Sequence, residues 1–150
     1  MELLPAERDT VTWVQDWARH VNDHAALFAV FVNRLIPSYD DKDAQNIPHL
    51  VGCMQEACTR LRQFARVVTC LTTAMLQPVN EVDMSTFFTA TASLRATTPS
   101  LLDTYNHCVF SMRSWCLPHE REVFRGEDLQ MYRDKFDQLE AVMFAMQRRF

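Results

Sequence analysis

The fold is decided by residues 50–75, Leu50-Val51-Gly52-Cys53-Met54-Gln55-Glu56-Ala57-Cys58-Thr59-Arg60-Leu61-Arg62-Gln63-Phe64-Ala65-Arg66-Val67-Val68-Thr69-Cys70-Leu71-Thr72-Thr73-Ala74-Met75. Leu50, Met54, Ala57, Leu61, Phe64, Val68, Leu71 and Met75 follow one another at alternating spacings of four and three, which places them on one helical face. Arg60, Arg62 and Arg66 fall between them and keep the other faces wet. A stripe sustained over this length needs another helix to bury it.

Working outward, the same pattern returns. Near the end of the chain it reads Leu129, Tyr132, Phe136, Leu139, Met143, Met146 and Phe150, with Arg133, Asp134, Lys135, Asp137, Gln138 and Glu140 between. Near the start it reads Val14, Trp17, Val21, His24, Phe28, Phe31 and Leu35, and in the third stretch Leu102, Tyr105, Val109 and Met112. The prolines punctuate these stretches. Pro5 suits a first turn, Pro37 and Pro78 follow apolar runs, Pro48 precedes one, and Pro118 ends the third stretch. Thr98-Pro99 reads as an N-cap followed by the first helical residue, so it restarts a helix inside the third stretch. Helices are expected over 6–35, 49–76, 84–117 and 121–149. The expected fold is a single all-α domain over 1–150, an up-down-up-down four-helix bundle with the third helix broken near Thr98-Pro99.

Composition narrows the function. Only two glycines occur among 150 residues, which argues against hairpins, phosphate loops and dinucleotide-binding turns. The formal charge of −4 gives no positive field for a phosphate backbone, so nucleic acid is not an expected partner. No apolar run is long enough to span a bilayer, and the start of the chain is acidic and mixed rather than signal-like. Five cysteines, Cys53, Cys58, Cys70, Cys108 and Cys116, are an odd number within apolar segments and read as reduced thiols of an intracellular, cytoplasmic protein. Cys108 beside His107 makes no nucleophile–base pair, because neighbours on a helix point in different directions. Asp40, Asp41 and Asp43 lack the spacing of a calcium loop and read as a solvated connection. No catalytic signature is present, and the chain is read as a non-enzymatic module.

One polar residue stands on a seam. His24 occupies a stripe position in the first helix, and His20 lies one turn before it. Imidazoles at i and i+4 share a face and suit joint coordination of Zn or Fe. The other potential ligands are His49, His107, and Cys116 with His119, but the glutamates Glu56, Glu120, Glu122, Glu127 and Glu140 all lie off the seams. A neutral core histidine, a metal ligand and a pH sensor are all open readings of His24.

Residues 16–28, Asp16-Trp17-Ala18-Arg19-His20-Val21-Asn22-Asp23-His24-Ala25-Ala26-Leu27-Phe28, resemble the first helix of DinB-like and hemerythrin-like metal-binding bundles. There an aromatic residue precedes an acid-His-Ala-x-aromatic segment. The resemblance implies a helical bundle and makes His24 the residue that would ligate. Trp13 stands where some of those bundles carry an inward acid.

Apolar residues exceed what four seams need. The first helix carries Trp13, Leu27, Val30 and Val32 beside its stripe, and Phe110, Phe144 and Trp115 lie off the others. Such a surplus is covered by a partner, or by the third helix folding across it with Phe87, Phe88 and Leu94. The expected function is contact with a protein partner or self-association as a homodimer, through Trp13, Trp17, Phe110 and Phe144. The alternative is a metal-binding bundle holding Zn or Fe at His24 and His20.

Overall fold

The structure is a computed structural model that describes residues 3–35, 47–77, 84–124 and 128–149. Pro37, Pro78, Glu127, Phe150 and the acidic connection at 38–43 lie outside the described residues. Within those residues the chain is all-α, without a strand. The elements are α1 (Pro5–Leu35), α2 (Ile47–Leu76), α3 (Met84–Met112), a 3-10 turn at Arg113–Trp115, α4 (Pro118–Val123) and α5 (Leu129–Arg149).

α1 packs most extensively on α2, α2 also on α3, and α5 rests against both α1 and α3. Polar contacts fix directions. Gln15 donates to Thr73 at 2.7 Å and Gln55 to Asn33 at 2.8 Å, so α1 and α2 are antiparallel. Arg149 meets Glu7 while the Tyr132 ring meets Trp17 at 5.5 Å, so α5 also runs against α1. Thr91 donates to the Met143 sulfur at 3.1 Å and Arg95 to Glu140 at 2.6 Å, which sets α3 against α5. Buried apolar side chains from all these helices form one cluster.

The seams of α2 and α5 lie where the heptad reading puts them, with Met54, Ala57, Leu61, Phe64, Val68, Leu71 and Met75 buried on α2, and Tyr132, Phe136, Leu139, Met143 and Met146 on α5. The α1 seam is rotated. Its deepest stripe is Val11, Val14, Ala18, Val21, Ala25, Phe28 and Val32, again at spacings of three and four. Trp17 and His24 flank that line and are half-buried. Alanine has little area to bury but admits a close neighbour, whereas an indole or imidazole on the axis of the seam would hold the helices apart.

α3 differs from expectation at Thr98-Pro99. It runs unbroken from Met84 to Met112 with Pro99 inside it. Proline removes a backbone donor and crowds the preceding turn, yet Thr91, Leu94, Thr98, Leu102, Tyr105 and Met112 are buried on one continuous face across it. Tertiary burial overrides the local stop signal. Thr98 is therefore a core residue rather than a cap, and the Leu94 carbonyl nearby accepts the Tyr132 hydroxyl at 3.3 Å.

The expected helix over 121–149 is two helices. Pro118 begins α4 rather than merely ending α3. Asp128 caps α5, its Oδ1 accepting the amides of Gln130 at 2.9 Å and Met131 at 3.0 Å.

Candidate functional site

Two helices begin with the same four-residue device. In Leu4-Pro5-Ala6-Glu7 and Leu117-Pro118-His119-Glu120, proline fills the first turn and glutamate reaches back to the leucine amide, 2.9 Å away in both cases. Each glutamate is also held by an arginine from the last turn of another helix. Arg149 of α5 binds Glu7 through both of its terminal nitrogens. One terminal nitrogen of Arg34 of α1 reaches both oxygens of Glu120, at 2.8 and 2.7 Å. Carboxylate at a helix start and guanidinium at a helix end each complement the helix dipole. The Arg149 hydrogen bond holds the Glu7 carboxyl below its ordinary range despite some burial. For Glu120, burial pushes upward, but the Leu117 amide and Arg34 outweigh it and the net shift is downward.

Glu120 is 8% exposed, a shielded carboxylate that lies on none of the four seams. Heptad counting misses Glu120 because it sits in a helix of six residues. The repeated Leu-Pro-x-Glu was the available signal.

The pair fastens α4 onto the end of α1 and builds a shallow groove of about 260 Å³ lined by Leu27, Val30, Phe31, Arg34, His119, Glu120 and Phe124. The Phe124 ring packs on Phe31 and Phe28, with centroids 5.1 and 5.2 Å away, and the Arg34 guanidinium lies over the Phe31 ring at 5.3 Å. Leu27 and Val30 form the open lip, 53% and 68% exposed. These are two of the four residues on the second apolar face of α1. Val32 is buried in the core and Trp13 is half-buried.

The four aromatic residues expected at a contact surface separate into two kinds. Trp13 stacks under Lys135, 4.4 Å from its ammonium, and Trp17 packs edge-on to Phe64 at 6.1 Å, so both indoles make contacts inside the chain. Phe110 is 72% exposed on α3. Phe144, 49% exposed on α5, leans on Phe88 at 5.0 Å. Phe88 of α3 thus reaches α5, and the buried Leu94 belongs to the core; the Phe87 side chain lies outside the described residues.

His20 and His24 do lie together, with ring centroids 4.6 Å apart. His20 is exposed and His24 half-buried. Burial first, then the charge of His20, keeps the His24 imidazole below its ordinary pKa. His49 lies 3.7 Å from the Cys53 sulfur, and His107 and His119 are exposed, while the Cys116 thiol is buried and donates to the Met112 carbonyl at 3.5 Å. Among the described residues, no group of three or more His, Cys, Asp or Glu is gathered to hold a metal ion.

All five cysteines are free thiols. Burial pushes Cys58 up to about 12, aided by Cys108, and burial likewise raises Cys108 and Cys116. Such thiols are poor nucleophiles. Among the described residues, no helix is long and apolar enough to cross a membrane.

Compared with protein-family models, with curated proteins and with solved structures, the chain matches none.

Proposed function

We propose that this chain is a non-enzymatic, intracellular interaction module that acts through protein–protein contact and associates with itself. Its four long helices would form an up-down-up-down bundle. The antiparallel contacts of α1 with α2, α1 with α5 and α3 with α5 support that arrangement.

The observation that carries the reading is the α1–α4 groove. Leu27 and Val30 stand open beside an aromatic floor, and the ion pair of Arg34 with the shielded Glu120 carboxylate fastens α4 beside it. Scattered exposed apolar residues are ordinary, whereas an apolar concavity with a fixed wall is a surface suited to a partner. Phe110 and Phe144 are exposed on α3 and α5 and take no part in lining that groove. The net charge of −4 favours protein over nucleic acid as that partner, and five free thiols accord with a reducing compartment. Light scattering across a concentration series tests the reading. A mass rising reversibly from one chain toward two supports self-association, and a constant single-chain mass opposes it.

A second reading, a metal-binding bundle with Zn or Fe, rests on the adjacent His20 and His24 rings. Two imidazoles supply half of a tetrahedral set, so another molecule or residue would have to complete it. Metal analysis of purified protein and of its His24→Ala variant tests it: stoichiometric metal lost on substitution favours this reading over the first.

A further inference from the structure

Asp16, His20, Asp23, Leu27, Val30 and Arg34 are all exposed on α1, at alternating spacings of four and three. They form a second heptad stripe, on the face turned away from the core. Its N-terminal part is polar and acidic, its centre is Leu27 and Val30, and its end is the Arg34 guanidinium. A helix crossing an identical helix in the opposite direction, about a two-fold axis between positions 28 and 29, pairs each residue from 22 to 35 with one whose number completes fifty-seven, and Asp16 and His20 fall beyond this overlap. Leu27 then meets the partner's Val30, and Asp23 meets the partner's Arg34. Apolar residues face apolar residues and charges face opposite charges, twice over by symmetry.

We propose that the occupant of this surface is a second copy of the same chain, docked α1 against α1 in antiparallel register. Leu27 and Val30 form the centre of the contact, and Asp23–Arg34 pairs close both ends. This rests on the reading of the chain as a self-associating module and names the face and the register. A shared parallel register fails the same pattern, because it sets Asp23 against the partner's Asp23 and Arg34 against the partner's Arg34. Arg34 remains bound to Glu120 in the dimer, and that pair fixes its position for the partner's carboxylate. Two large apolar side chains per copy are fewer than a permanent interface uses, so the dimer exchanges freely with monomer.

Sedimentation velocity over a concentration series, in low and in high salt, tests this. The wild-type chain is expected to dimerise reversibly. Leu27→Glu and Val30→Glu should each raise the dissociation constant about tenfold or more, while Phe110→Ser leaves it unchanged. Asp23→Arg should weaken the dimer severalfold in low salt and less in high salt. A chain carrying both Arg34→Glu and Glu120→Arg keeps an internal pair of reversed sign. Mixed with Asp23→Arg chains, it should associate more tightly than either variant does alone. Dimerisation that survives Leu27→Glu and Val30→Glu overturns this register and leaves self-association standing through another face. A monomer at every concentration overturns both.

Discussion

One terminal nitrogen of Arg34, at the end of α1, donates to both oxygens of Glu120, at 2.8 and 2.7 Å, across 86 positions of sequence. The Glu120 carboxylate also caps the first turn of α4 through the Leu117 amide. The same carboxylate therefore starts one helix and ties it to the end of another. Glu7 does both for α1 and α5 with Arg149. Exposed ion pairs contribute little, but a shielded carboxylate deprived of its partner loses a charged hydrogen bond as well as attraction.

Arg34→Met should therefore lower the thermal midpoint at neutral pH and loosen α4. Glu120 is held below its ordinary value of 4.5, so the pair stabilises the fold above that value and its contribution is lost as the pH falls through the folded-state pKa. Thermal unfolding followed at about pH 7 and about pH 3 should show a gap between wild type and variant that closes in acid. A gap of equal size at both would contradict this account of Glu120.

His24 titrates in a different window. Its folded-state pKa lies below the ordinary 6.5, so the unfolded chain binds that proton more readily than the folded one. Stability is full above about 6.5 and declines as the pH drops from there through the folded-state value. Replacing His24 with Gln should flatten the decline between about pH 7 and about pH 5. Denaturant unfolding at closely spaced pH values reads the slope, and an unchanged slope would mean His24 is not the titrating group.

The core and the groove lip should respond very unequally to the same substitution. Leu61→Ala and Leu139→Ala remove side chains with no solvent exposure and should each cost about 2–5 kcal/mol. Leu27→Ala should change monomer stability by no more than about 0.5 kcal/mol, and its effect belongs to association. Chemical denaturation at low protein concentration separates the two quantities.

Pro99 should be a cost that the core tolerates. It sits inside α3 rather than at a helix start, where proline is disfavoured by up to about 3 kcal/mol relative to alanine. Pro99→Ala should therefore raise the thermal midpoint. A lower midpoint would show that the proline ring itself is needed to seat Thr98 and Leu102.

Much of this architecture is legible in the sequence, because long heptad stripes report burial directly. Met54 to Met75 and Tyr132 to Met146 read correctly for that reason. The α1 seam reads less well: Ala18 and Ala25 lie on its axis but carry too little hydrophobicity to advertise it, while Trp17 and His24 beside them draw attention. Thr98-Pro99 misleads because a local stop signal carries no information about the buried face running through it. Glu120 is invisible to periodicity in so short a helix, and its partner Arg34 lies far away in sequence. The exposure of Leu27 and Val30 depends on where α4 docks, which no local pattern states.

Amide chemical shifts of the isotope-labelled chain, recorded over a dilution series, report whether the open face of α1 is the contact surface. Concentration-dependent shifts are expected to cluster from Asp23 to Arg34 and around His119, with the amides of Phe110 and Phe144 unmoved. Shifts confined to Phe110 or Phe144, or spectra that superimpose at every concentration, would contradict that role for α1.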